Sequence, residues 1–114
     1  MSLTESLAAV TRIPGVRGAL IVSPQDGLVV AEALMEGLDG GAVAALVGRV
    51  AERLRGLAAQ FGHPTPTGFS LEAAEGALLA AWAASGLLVV AVTAPDVNGG
   101  HVRLELLDAA ERAA

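Results

Sequence analysis

The chain has 114 residues and a formal net charge of −5, with seven arginines and no lysine, cysteine or tyrosine. Without cysteine it has no disulfide framework, zinc-finger spacing or thiol nucleophile, and without lysine no phosphate loop of the GxxxxGK[ST] type. The length predicts one domain, 1–114, with a core of its own, and the net charge of −5 argues against nucleic-acid binding, which draws on extensive clustered cations.

The opening MSLTESLAAV lacks a basic segment followed by a long apolar run, so no secretory signal is expected and the cytoplasm is the default compartment. Ser2 and Glu5 form a capping box for a first helix ending near Arg12, with Leu3, Leu7 and Val10 as its apolar stripe. Pro14-Gly15 turns the chain, and 18–22 reads as a strand. Asp26-Gly27 predicts a hairpin turn in which both residues tolerate positive φ. The return strand is 28–34.

The segment 39–61 predicts the helix around which the rest is arranged. Val43, Leu46, Val47, Val50, Leu54, Leu57, Ala58 and Phe61 follow the i, i+3, i+4, i+7 spacing of an amphipathic helix, and that stripe is the expected core face. Asp39 caps its start, Gly62 takes the left-handed turn after its end, and Pro64 forbids continuation. Opposite the stripe lie Ala45, Gly48, Glu52, Gly56 and Ala59. Two helical glycines cost about 1 kcal/mol each relative to alanine. The expectation is that a second helix approaches this face closely, so the chain should form a homodimer across it.

After a loop at 62–66, Phe69, Leu71 and Ala73 alternate with Ser70 and Glu72 as in a half-exposed strand, which fits a sheet edge. The uncharged run 76–94 approaches the length of a membrane span. Ser85-Gly86 in its middle and the β-branched residues after it predict a buried hairpin instead, without membrane insertion. Asn98 starts a final helix over 98–112. The order is helix, two strands, helix, three strands, helix. It predicts a five-stranded antiparallel sheet with the strands at 18–22 and 87–93 central, the long helix on one face and the terminal helices on the other.

No catalytic, metal-binding or cofactor-binding residues are expected. No serine lies in a nucleophile elbow, and neither His63 nor His101 has a second histidine at helical spacing. Gly40-Gly41 and Gly99-Gly100 each precede a helix and read as helix-start geometry rather than anion sites. Glu72 and Glu75 flank a turn and read as solvated. Arg49, Arg53 and Arg55 form the one basic cluster. Arg49 and Arg53, four apart, are read first as a solvated rim and second as a contact for an acidic partner.

The run IPGVRGALIVSPQDGLVV at 13–30, with Ala44-Ala45-Leu46 and the ending from Asn98 to Arg103, resembles the Roadblock/dynein light chain domain. The likeness runs from about residue 3 to 112, with Asn98-Gly99-Gly100 more glycine-rich than the usual pattern. The resemblance implies an α+β, profilin-like sandwich in the order α-β-β-α-β-β-β-α. It implies homodimers in which long helices pack antiparallel and third strands join two sheets, which adds Phe69 and Leu71 of the third strand to the expected dimer interface. It also implies a small Ras-like GTPase as partner, with the chain acting as a non-enzymatic regulator or scaffold. The competing class is a small-molecule-sensing or protein-interaction module without a GTPase, against which the strands offer few polar groups to orient a ligand.

Overall fold

The computed structural model describes residues 3–62 and 66–113. The capping role expected of Ser2, the histidine His63 and the break at Pro64 lie outside them. In place of one first helix there are two single turns, α1 (Leu3–Ser6) and α2 (Ala8–Thr11). The break falls at Leu7, whose N–H reaches back only three residues to the Thr4 carbonyl (3.1 Å). That tighter turn lets Leu7, Val10 and Ile13 all bury against the sheet.

Strand β1 (Val16–Ser23) and strand β2 (Leu28–Leu34) form the first hairpin. Its turn has four residues, 24–27, rather than two: Ser23 pairs with Leu28 across it. Gly27 alone takes positive φ, +66°, and donates its N–H to the Ser23 carbonyl (2.9 Å). The Ser23 hydroxyl donates to the Asp26 carboxylate at 3.4 Å. Asp26 thus serves by accepting a hydrogen bond, not by adopting a left-handed backbone.

Helix α3 (Gly40–Gln60) starts where Asp39 Oδ1 accepts from the Ala42 N–H (3.1 Å), and Gly62 beyond its end takes φ +70°. Strands β3 (Gly68–Ala73), β4 (Gly76–Trp82) and β5 (Leu88–Thr93) follow, then helix α4 (Gly99–Arg112) capped by Asn98. The five strands are antiparallel in the order β2-β1-β5-β4-β3. β1 and β5, apolar on both faces, are interior, and β3 is an edge.

Pairing fixes the two layers. Ala19 opposite Ala91 and Ile21 opposite Val89 face a core closed by α1, α2 and α4 through Leu7, Val10, Val102 and Leu106. Leu20 opposite Val90 and Val22 opposite Leu88 face α3 through Ala44, Val47 and Ala51. Long helix and terminal helices therefore occupy opposite faces. The run 76–94 is the buried β4–β5 hairpin, turning at Gly86 with φ +92°. No helix among the described residues is long and apolar enough to cross a membrane.

The face that α3 buries differs from the expected one. Gly40, Ala44, Val47, Gly48 and Ala51 are buried, and Val47 alone belongs to the apolar stripe. Leu46, Leu57 and Phe61 remain 43%, 51% and 74% exposed. The cause is the seat. Small residues let the helix lie close on the sheet, so Gly40 meets the Glu32 side chain and Gly48 the turn after β1. The leucines and Phe61 are turned onto a flank.

Candidate protein-interaction surface

α3 packs on β1 and β2. On the same face of the sheet, the half formed by β4 and β3 lies beyond it. There Phe69 pairs with Ala80 and Leu71 with Leu78, so all four share the α3 face, where Trp82 stands opposite Leu88. The rings of Phe69 and Trp82 pack at a tilt, centroids 5.7 Å apart and planes at 59°. Phe69, Leu78 and Trp82 are only half-buried, and Leu71 is exposed. Leu46 of α3, Leu71, Leu78 and Val92 line one groove between helix and sheet, with Arg17, Glu72 and Glu75 at its rim. At Leu46 the exposed flank of α3 thus adjoins a half-covered apolar sheet. Scattered exposed leucines are ordinary, but a contiguous patch of this kind marks an interaction surface.

The patch ends on an open sheet edge. The Trp82 N–H donates to the Thr67 carbonyl (3.0 Å), and a two-residue loop at 74–75 closes the β3–β4 hairpin. Residues of an antiparallel strand alternate in the side to which N–H and C=O point. Phe69, Leu71 and Ala73, in step with Thr67, therefore bond to β4. Gly68, Ser70 and Glu72 direct their backbone groups to the free edge.

The residues expected at a dimer interface divide accordingly. Phe69 and Leu71 lie on this surface. Ala45, Glu52, Gly56 and Ala59 are exposed on the outward side of α3, and a Cβ added at Gly56 would meet nothing within 4 Å. Gly48 is a correction. It is buried, and an added Cβ would stand 3.0 Å from the Pro24 carbonyl oxygen and 3.3 Å from the Gly27 Cα. The backbone that requires glycine there is the chain's own β1–β2 turn. Residues that sequence reasoning placed in the core, Leu46, Leu57 and Phe61, belong instead to the surface. The readable signal was the row of small residues at 40, 44, 48 and 51, which suits a helix seated flat on a sheet.

Arg49 and Arg53 are exposed on α3 and make no ion pair among the described residues, whereas Arg55 pairs with Glu52 (3.6 Å). Their charge is free to meet an acidic surface. His101 lies exposed 3.9 Å from Glu105. No group of three or more His, Cys, Asp or Glu among the described residues is placed to hold a metal. Asp39 and Asn98 each accept from one of the first N–H groups of α3 and α4, those of Ala42 and His101, both at 3.1 Å.

The model of the Roadblock/LC7 domain matches residues 3–93. The chain belongs to the Roadblock/LC7 family. Its fold is similar to that of Myxococcus xanthus MglB, with TM-score 0.86 at 19% identity over 97% of this chain and 90% of that one. A Roadblock/LC7 domain from Streptomyces avermitilis gives TM-score 0.83 at 20% identity, covering 97% and 91%. An MglB with a tetrameric arrangement gives 0.84 at 24%, covering 96% and 83%. No curated protein matches the sequence. At such identities the likeness concerns the fold. In this Roadblock/LC7 chain the matched segment ends with β5, and α4 follows it to close the second core.

Proposed function

We propose that this chain, as one Roadblock/LC7 domain spanning 1–114, works as a homodimer without chemistry of its own, and that the dimer binds a small Ras-like GTPase. The observation that carries the reading is the apolar flank of α3 beside the half-covered β4–β3 surface and the free β3 edge. Such a surface is self-complementary. A two-fold axis at the edge of β3 gives each copy's open half-face a second helix flank, and the unpaired backbone of β3 a partner strand. Burying the exposed parts of Leu46, Leu57 and Phe61 contributes about 1 kcal/mol each. The tetrameric arrangement of one MglB supports self-association in this fold. Of the α3 residues opposite the apolar stripe, the exposed Ala45, Glu52, Gly56 and Ala59 stay in the proposed interface, on its outer margin, and Gly48 does not.

The GTPase follows from the family resemblance and from what the chain lacks. With no phosphate loop or nucleophile elbow in its sequence and no metal cluster among the described residues, its influence on hydrolysis comes from positioning another protein's switch loops. Arg49 and Arg53 are the contact we propose, with effects chiefly on association rate and salt dependence. The test is a pull-down with the small GTPase encoded nearest to this gene, loaded with a GTP analogue or with GDP. Nucleotide-dependent capture, weakened by Arg49→Glu with Arg53→Glu, is expected. Capture that ignores the double reversal removes that pair from the site, and no capture in either state overturns the GTPase assignment.

A further inference from the structure

The free edge of β3 carries a charge pattern that selects one way of joining two copies. Gly68, Ser70 and Glu72 not only turn their backbone groups outward. By alternation they also share the α4 face of the sheet, since Ser70 stands opposite Leu79, which packs against the α4-side core, while Glu72 near the strand's end borders the Leu46–Leu71 groove as well. On that face Arg103 of α4 lines a groove with Thr67, Gly68, Ser70 and Leu107, at the β3 edge. Arg103 and Glu72 are both exposed, and neither makes an ion pair among the described residues.

Two copies of β3 related by a two-fold axis perpendicular to the sheet keep corresponding faces on the same side. Their outward rows must also meet, so even-numbered residues pair with even-numbered ones. Placing Ser70 opposite Ser70 uses all three outward rows, and each Glu72 then lies opposite Gly68 of the second copy. Gly68 has no side chain to fill the space. The groove that holds Arg103 opens beside it. Sliding the register so that Phe69 meets Phe69 carries Glu72 past this groove to Pro66.

For that pairing of β3 edges we propose one register, with Ser70 at the two-fold axis, held by two reciprocal Arg103–Glu72 ion pairs between copies. This rests on the dimer reading above and adds to it the residues that specify the partner as a second copy. Charges at the rim of an interface fix register and exclude wrong partners more than they add affinity. A heterologous edge strand without an acidic residue two positions beyond the axis leaves Arg103 facing nothing.

The experiment is a dilution series by sedimentation equilibrium on the wild type, Arg103→Glu, Glu72→Arg and the double swap. Both side chains are exposed, so all four proteins fold alike, which circular dichroism checks. Each single reversal acts twice per dimer and weakens dimerisation roughly tenfold at low salt, less at high salt. The double swap restores it to within about threefold. Because the chain has no cysteine, Ser70→Cys gives a second readout. Paired Cα atoms about 5.5 Å apart lie within disulfide span, so this variant forms a covalent dimer under mild oxidation. A dimeric wild type with indifferent single variants, or a double swap as weak as the singles, overturns the register and leaves the dimer standing. A monomeric wild type overturns both.

Discussion

Gly48 and Gly56 occupy the same helix two turns apart and separate packing within one chain from packing between chains. Alanine at either position gains about 1 kcal/mol of helix propensity. At Gly56 nothing lies within 4 Å of the new Cβ, so the gain is kept. At Gly48 the new Cβ meets the Pro24 carbonyl oxygen at 3.0 Å and the Gly27 Cα at 3.3 Å. The turn cannot retreat easily, because Pro24 is buried and Gly27 is held by its bond to Ser23 and its positive φ. Overpacking of this kind costs about 1–3 kcal/mol, which outweighs the propensity gain. The expected result is Gly56→Ala more stable than wild type and Gly48→Ala less stable, with the two about 2 kcal/mol apart. For a chain of this length that is roughly 8 °C in Tm. Thermal melts followed by circular dichroism should be run at one protein concentration, since Tm of an associating protein depends on it. Gly48→Ala melting at or above Gly56→Ala would refute the claim that the turn dictates glycine. A folded, monomeric Gly48→Leu would likewise return Gly48 to an interface between copies.

Trp82 offers another check: its indole Nε1 is buried without a hydrogen-bond partner among the described residues, so Trp82→Phe keeps the ring against Phe69 and removes an unsatisfied donor. Urea unfolding should place it within about 1 kcal/mol of wild type, and a loss well beyond about 2 kcal/mol would mean that the N–H is satisfied after all. Asn98→Ala removes the acceptor for the His101 N–H and should cost about 1 kcal/mol, with Asn98→Asp retaining most of it. Equal stability of the two would show that the cap does not hold the start of α4.

Local chemistry made much of the fold legible. Asp39, Gly62, Gly86 and Asn98 act at the chain positions where capping and left-handed turns were read, because each effect depends on a few neighbouring atoms. The strands at 18–22 and 87–93 read as interior because alternate residues on both faces are apolar, and both are. The orientation of α3 was harder. Periodicity gives the direction of greatest apolarity around a helix but not which neighbour lies there. Here the sheet takes the small residues Ala44, Gly48 and Ala51, and the larger Leu46, Leu57 and Phe61 are left on a flank. That reversal hid the interaction surface in plain sight as a presumed core. Gly48 misled for the same reason: close backbone approach leaves the same trace in sequence whether the second backbone is a partner helix or the chain's own turn. Arg103 carried no local signal at all, since its meaning depends on the β3 edge brought to it by the sheet order.

In the proposed dimer the flank of α3 and the edge of β3 meet a second copy. Light scattering at tens of micromolar measures this directly against a chain mass of 11.4 kDa. The wild type should scatter with twice that mass, falling to one chain for Leu57→Glu, whose side chain is exposed and whose charge would be buried in the dimer. A wild type that scatters as a single chain, or a Leu57→Glu protein that remains fully dimeric, would contradict it.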